Sequence, residues 1–472
     1  MWHLMNKKSY IILFILFSVL LQSCFVSKKY TRNEALLVQP DMFRAEINQK
    51  DSSSIANIVW GEFFKDTLLK NYIDVALKEN LDLKMAVEKI KTSQSYYQQA
   101  KAQFFPSVAI APEVSYNSQS LNTQFGQLFG ERRHLVQYGI PFSLGWELDV
   151  WGKISSAKRA SQAALLSTVA SAQAYQSLLV ANVAKLYYQL LVLDEQFRIT
   201  ESTIITRAKS LETTKALKVA GTLTEAAVKQ SEALLLNAKG LLVNIENQRT
   251  ITENALAILL NQSPHKLERT HLDQQTIDHE LLYGVPYDLL KNRPDIRAAE
   301  YELVNAFELS NVAQANFYPS LRITANTGLQ SVDIDRLFSL KSLFVNTVAS
   351  LTQPIWNKRQ LRTQKEIAMA NQQTAYLQYR KSILVAANEV SNALALYQTQ
   401  TELMSLKQQE YNSYRLATEY SQELVNNGMA NYLEVLRAQE NELSAQLSYL
   451  NANYGRLIAV VDLYRALGGG AK

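Results

Sequence analysis

Cysteine occurs once in the 472 residues, at Cys24. Without a second thiol the chain forms no internal disulfide and no thiolate metal centre, and nothing beyond Cys24 offers a cysteine nucleophile. Glycine (15) and proline (9) are scarce, which argues against a loop-rich enzyme scaffold and for long uninterrupted helices. Charge of one sign is also missing: 48 basic and 43 acidic residues are mixed along the chain, and no basic block is present to track a phosphate backbone, so nucleic acid is not an expected partner. P-loop, GxSxG and HExxH motifs are absent. His265, His271 and His279 fall in an acidic, proline-bounded linker at spacings that match no common metal-ligand pattern. The expectation is no catalytic site, no metal and no cofactor. The 47% apolar content is nevertheless enough for a substantial core.

The only long apolar run begins at Ile11 and ends at Leu21, after Lys7 and Lys8. At about 11 residues it is too short for a span, which needs roughly 20, and reads as the h-region of a cleaved signal over 1–23. Met5 is a second candidate start. Leu21-Gln22-Ser23-Cys24 resembles a bacterial lipobox, in which a diacylglycerol thioether forms on the sulfur and the new amino terminus is acylated. Gln22 departs from the small or aliphatic residue usual there, and a chance cysteine after a secretory signal is the competing reading. Phe25, rather than aspartate, after the cysteine fits an outer-membrane destination.

Sliding the chain against itself by about 213 residues aligns two segments of one design. Asp82 matches Asp295, Ala86 matches Ala299, and Ala100-x-Ala102-x-Phe104-Phe105-Pro106-Ser107 matches Ala313-x-Ala315-x-Phe317-Tyr318-Pro319-Ser320. After each proline the periodicity changes to two. Val136, Tyr138, Ile140, Phe142, Leu144, Trp146, Leu148 and Val150 alternate with mostly polar or small residues, and Leu321, Ile323, Ala325 and Leu329 alternate with Arg322, Thr324, Asn326 and Gln330. Strands are expected at about 107–118, 136–150, 320–331 and 343–354. The last alternates less cleanly, and Pro112 and Pro141 each remove a ladder donor. On the strands alone, a half-buried soluble sheet competes with a lipid-facing one.

Between Gly152 and Gly221 roughly 68 residues pass without glycine or proline, which as one helix is about 100 Å long. Its early part is rich in alanine and serine, which lets neighbouring helices approach closely. Lys358 to Gly428 repeats the pattern, and Gly221 and Gly428 fall where a chain reversal needs positive φ. Each half reads as helix, strand, strand, long helix, tight turn, returning helix. The expected division is an N-terminal segment 24–58, a first repeat 59–264 with its tip near 221, a linker 265–284, and a second repeat 285–472 with its tip near 428. Four strands per chain cannot close a membrane barrel, for which about eight is the minimum, so several chains must share one.

Val285-Pro286-x-x-Leu289-Leu290-x-x-Arg293-Pro294-Asp295-Ile296-x-x-Ala299-Glu300, continued by the Phe317-Tyr318-Pro319-Ser320 stretch, together with Trp60-Gly61-Glu62-Phe63-Phe64-x-Asp66, Trp151-Gly152-Lys153 and Ala466-Leu467-Gly468-Gly469-Gly470, resembles the TolC-like outer membrane efflux proteins. The likeness is to their NodT-like lipoprotein branch, which serves RND-type efflux systems, and it covers essentially the whole mature chain. It implies a mainly α protein with a β membrane segment, assembled as a homotrimer. About 12 strands would form a barrel in outer-membrane lipid, continued by a periplasmic α-barrel of about 12 helices. It also implies a periplasmic membrane-fusion adaptor gripping the tips (Gly221, Thr222, Leu223; Gly428, Met429, Ala430) and an inner-membrane RND-type pump supplying the energy. The duct itself would catalyse nothing.

In the family, acidic residues about six and nine positions after the second hairpin glycine narrow the closed end. Here those positions hold Glu434 and Arg437, and Val425 stands where a tyrosine is frequent. A Glu434 to Arg437 pair, within a chain or across the three-fold axis, is a candidate gate. A solvated i, i+3 pair is the competing reading. Drug efflux, metal-ion efflux and type I protein secretion are the alternatives within the channel class; the lipobox and the Arg293-Pro294-Asp295-Ile296 motif favour RND-type small-molecule efflux, and methionine is concentrated in no run that suggests a soft-metal relay. A lipid-anchored coiled-coil scaffold without channel activity is the alternative from another class, and it leaves the strands unused.

Overall fold

The computed structural model describes residues 28–32, 58–132, 134–275 and 292–471. Cys24, the signal segment, most of 24–58, His279 and residues 285–290 lie outside them. The helices are α1 (Trp60–Phe63), α2 (Thr67–Glu79), α3 (Leu81–Ala102), α4 (Gln124–Phe129), α5 (Lys153–Val219), α6 (Glu225–Leu259), α7 (Pro294–Ala315), α8 (Gln360–Asn426) and α9 (Tyr432–Ala466). The strands are β1 (Ser107–Ile110), β2 (Glu113–Ser118), β3 (His134–Leu148), β4 (Ser320–Ser331) and β5 (Leu343–Thr352). Three helices of each half match in length: α3 and α7 have 22 residues each, α5 and α8 have 67 each, and α6 and α9 have 35 each. Among the described residues no helix is long and apolar enough to cross a membrane.

The chain divides into two compact units. The first comprises Met1–Arg32, Lys91–Ser167 and Glu300–Gln378 and contains the sheet. All pairings are antiparallel: β3 pairs on one side with β1 and β2 in turn and on the other with β4, and β4 pairs with β5. β1 and β2 thus occupy one place in the sheet. Their break at Ala111 and Pro112 faces Pro141. Ala111 donates to the Pro141 carbonyl at 3.2 Å, and Pro141, having no N–H, returns nothing.

The register sorts the side chains by face. Ile110 lies opposite Phe142, Phe142 opposite Thr327, and Thr327 opposite Val345. Because successive residues alternate, one face carries Val108, Ile110, Val114, Tyr116, the even positions of β3, and Leu321, Ile323, Ala325, Leu329, Leu343, Val345, Ala349 and Leu351. The other carries Ser115, Asn117, Gln137, Ser143, Glu147, Arg322, Thr324, Asn326, Asn346 and Ser350. The poor alternation of β5 in the sequence comes from Phe344 and Val348 on the polar face.

At the base of the strands, Trp146 Nε1 donates to the Phe104 carbonyl at 3.0 Å and Trp151 Nε1 to the Pro319 carbonyl at 2.7 Å. Asp149 caps α5 by accepting from the Ile154 and Ser155 backbone, each at 2.8 Å. Arg159 forks onto the buried Glu308 carboxylate at 2.7 and 2.9 Å.

The second unit comprises Asn33–Ile90, Thr168–Ala299 and Tyr379–Lys472 and holds the main core. Phe63 stacks on Tyr464 with centroids 4.0 Å apart, and Leu69, Ile73, Leu190, Leu191, Val461 and Leu463 surround them. Asp66 caps α2 through Leu68 and Leu69 N–H and also accepts from Tyr187 Oη at 2.7 Å, Gln275 Nε2 at 2.8 Å and Thr270 Oγ1. Arg269, almost fully buried, joins α5 to α6 by pairing with Asp194 and Glu253.

Candidate functional site

Both hairpins reverse in the same way. Gly221 has φ 78° and Gly428 φ 74°, the left-handed region that costs a side-chain-bearing residue free energy. Gly221 N–H donates to Lys218 O at 2.9 Å and Thr222 N–H to Leu217 O at 3.0 Å; Gly428 N–H donates to Val425 O at 3.0 Å and Met429 N–H to Leu424 O at 2.8 Å. These are two Schellman closures, which satisfy the final carbonyls of each 67-residue helix. No atom lies within 4 Å of a Cβ built on either glycine, so the requirement is conformational.

The tips differ in what holds them. Lys218 and Glu225 form an ion pair across the first, and the corresponding residues of the second are Val425 and Tyr432. Tyr432 is buried and donates to the Ser210 carbonyl at 3.3 Å. Asn431 caps α9 by accepting from Leu433 N–H at 3.0 Å. Gly221, Thr222, Gly428 and Met429 are exposed, and Leu223 and Ala430 half-buried. Met429, at 75% exposure, is an apolar side chain presented to whatever meets the tip.

Glu434 and Arg437 sit one turn apart on α9, both exposed. Among the described residues neither forms an ion pair or side-chain hydrogen bond, so the within-chain version of the pair is not made in this structure.

Two polar residues of the helical unit were not singled out as sites by their sequence. Arg293 was legible only as one residue of the Arg293-Pro294-Asp295-Ile296 motif. It is buried, donates to the Ala466 carbonyl at 2.9 Å, pairs with Asp295 at 2.6 Å and Glu389 at 2.7 Å, and Glu389 also meets Arg465 at 3.2 Å. Burial alone would push its pKa down; the two carboxylates outweigh that and raise it. The motif thus ties the start of α7 to the end of α9. Arg207 on α5 is also buried and donates to the Leu234 carbonyl of α6 at 2.6 Å. Burial pushes its pKa down, against the opposing pull of Glu440. It lines a cavity of about 220 Å³ with Thr203, Gln439 and Glu442. An arginine within a long mixed helix gives no signal of such a position.

His265 and His271 are exposed, and among the described residues no group of three or more His, Cys, Asp or Glu is placed to hold a metal ion.

Two matched repeats of long helical hairpins, carrying an antiparallel sheet with one apolar and one polar face, define a channel subunit of the outer membrane. Residues 72–262 and 285–469 match the outer membrane efflux protein family, and the chain belongs to it. The solvent efflux pump outer membrane protein SrpC of Pseudomonas putida is 30% identical over 425 residues, covering 89% of this chain and 90% of that protein. The cation efflux system protein CusC of Escherichia coli O6:H1 is 28% identical over 420 residues, with 88% of each covered. The crystal structure of the open state of the Neisseria gonorrhoeae MtrE outer membrane channel superposes with a TM-score of 0.84 at 26% identity, covering 94% of this chain and 98% of that one.

Proposed function

We propose that this chain is the subunit of an outer-membrane exit duct in a tripartite efflux system, passively conducting small molecules delivered by a periplasmic membrane-fusion adaptor and an inner-membrane RND-type pump. The observation that carries this reading is the two-faced sheet. Its apolar face suits hydrocarbon and its polar face suits a water-filled lumen. The five strands fill four places, and both outer edges are unpaired among the described residues. A homotrimer supplies about 12 places, enough for a closed barrel, which one chain cannot form. The repeats 59–264 and 285–472, joined by the linker 265–284, each supply two places and one hairpin. Cys24 carries the lipid anchor, the tips at Gly221 to Leu223 and Gly428 to Ala430 meet the adaptor, and Glu434 with Arg437 narrows the periplasmic end. The duct performs no catalysis and takes no cofactor.

The similarity to CusC favours a second reading, metal-ion efflux. Against it, the 7 methionines form no cluster along the chain that suits a soft-metal relay. Planar-bilayer recording of detergent-purified protein tests the channel reading, and drug and metal susceptibility of a deletion strain tests the cargo. Conducting trimers and loss of drug or solvent tolerance are expected. A monomer that is stable without detergent and non-conducting would return the chain to a lipid-anchored scaffold.

A further inference from the structure

The repeats contain one joint made twice in sequence and once in the chain. Trp151 of the first repeat and Trp356 of the second stand at equivalent places, after β3 and β5, in Val150-Trp151-Gly152-Lys153 and Ile355-Trp356-Asn357-Lys358. Trp151 is half-buried: its Nε1 donates to the Pro319 carbonyl and its ring lies 5.1 Å from that of Tyr318. Trp356 is 88% exposed and its neighbour Ile355 is 96% exposed. The seat equivalent to Tyr318 and Pro319 is Phe105 and Pro106, and Phe105 is 73% exposed. Donor and seat of the second joint are thus both uncovered, at opposite edges of one sheet. The two halves diverge just beyond the tryptophan. α5 begins two positions after Trp151 and α8 four after Trp356, and the two additional residues, Lys358 and Arg359, have φ 52° and 68° where the first repeat has Gly152 at 74°.

We infer that Trp356 docks on the Phe105–Pro106 corner of a second copy of this chain, donating to its Pro106 carbonyl, and that β5 pairs with β1 and β2 of that copy in the register of β3 with β4. This rests on the reading that several copies share one barrel. Within the chain, Leu148 faces Leu321 and Trp146 faces Ile323. Replacing each strand by its repeat counterpart, with Trp356 in the place of Trp151 and Pro106 in the place of Pro319, sets Leu351 opposite Ile110, Val345 opposite Tyr116, and Thr352 opposite Ala109. The tryptophan and proline equivalences alone fix this register, and it then meets a condition they do not contain. Leu351, Ile110, Val345 and Tyr116 all belong to the apolar face, so that face runs unbroken across the joint; a shift by one residue would place Leu351 against Ala109 or Ala111 and turn β5 over. Pro112 has a cost in this register: Ala111 directs its N–H at β3, so Pro112 has no N–H to give β5 of the second copy, and the new ladder lacks one bond at the break between β1 and β2.

Paired cysteines in the full-length chain test the register. Ala109 and Thr352 meet as a pair without mutual backbone hydrogen bonds, with Cα atoms about 4.5 Å apart, within disulfide reach. Both lie on the polar face, open to an aqueous oxidant. Ala109→Cys with Thr352→Cys, and Glu113→Cys with Val348→Cys, should give a ladder of covalent dimer and trimer on a denaturing gel. Each single variant should not, which controls for Cys24. The slipped pairs Ser107→Cys with Thr352→Cys and Ala109→Cys with Leu351→Cys should stay monomeric. Trp356→Ala should lose the ladder while its far-UV CD stays unchanged. A native trimer by mass that cross-links only in a slipped register, or in none, overturns the inference and leaves the duct standing. A protein that is monomeric by mass overturns both.

Discussion

Gly328 lies directly opposite Pro141 in the centre of the sheet, and a Cβ placed on it would stand 2.2 Å from the Ile140 carbonyl oxygen and 2.9 Å from Pro141 Cα. Pro141 already breaks the ladder on the β1 and β2 side, and Gly328 is what lets β4 close against it on the other. Gly328→Val should prevent β3 and β4 from pairing. Expected is loss of the trimer in mild detergent with helical CD largely retained, read by native mass measurement. A trimer of wild-type thermal resistance would show that the backbone relaxes around the added side chain.

Arg293 should behave as a keystone of the helical unit. Its guanidinium serves Asp295, Glu389 and the Ala466 carbonyl together, which the point charge of lysine cannot reproduce. Arg293→Met should destabilise the fold by about 3 kcal/mol, the low end for breaking a buried pair, because Glu389 keeps Arg465. Arg293→Lys should recover part of that in chemical denaturation, and equal melting of all three proteins would reduce the network to decoration.

Asp66 predicts an acid limit. Burial tends to raise its pKa, but hydrogen bonds from Thr270, Tyr187, Gln275 and the Leu69 backbone outweigh it and hold the carboxyl below its usual range. A group depressed in the folded state stabilises above its unfolded pKa, about 3.9, and that stability is lost as pH falls through the folded value. Thermal melts should therefore be flat in this contribution from pH 7 to about 5 and drop below about 4. Asp66→Asn should melt lower at pH 7 and lose part of the acid-dependent drop. A mutant curve parallel to wild type throughout would place the acid sensitivity elsewhere.

The larger architecture was legible because it rests on local, repeated signals: glycine-free runs that end at Gly221 and Gly428, and the Phe-Phe/Tyr-Pro-Ser corners that start the strands. The split of the first strand segment was half legible. Pro112 was visible, but the break depends on Pro141 across the ladder, and register is not written in either strand alone. β5 read poorly because Phe344 and Val348 are apolar residues on the polar face, so period two blurs. Among the site residues, the tip glycines announce themselves by backbone need. Arg293 and Arg207 do not, since their roles come from carbonyls and carboxylates supplied by distant segments.

The proposed anchor rests on Cys24 as the sole thiol behind an apolar run of about 11 residues. A clickable fatty acid should label the wild-type protein and not Cys24→Ser. Cys24→Ser should nevertheless stay in the envelope, because the proposed barrel would provide a second hold on the membrane. Equal labelling of both proteins would remove the lipoprotein assignment.

The gate prediction rests on Glu434 and Arg437, which share a face of α9 and are exposed without an intrachain partner among the described residues. In a trimer with that face turned to the axis, three copies of each would meet near the narrow end, where like charges repel unless alternated with the opposite sign. Reversing Arg437 to glutamate would leave carboxylates facing one another and bias the tip towards opening. Larger bilayer conductance and greater uptake of a large antibiotic such as vancomycin should follow. High salt should shrink the difference, since the Debye length falls from about 10 Å at 0.1 M to about 3 Å at 1 M. The double exchange Glu434→Arg with Arg437→Glu should restore much of the closed state, because it preserves the charge complement while swapping positions. Unchanged conductance in a folded, trimeric Arg437→Glu protein would assign both residues to solvated surface and leave the tips to close by packing around Tyr432 and Met429.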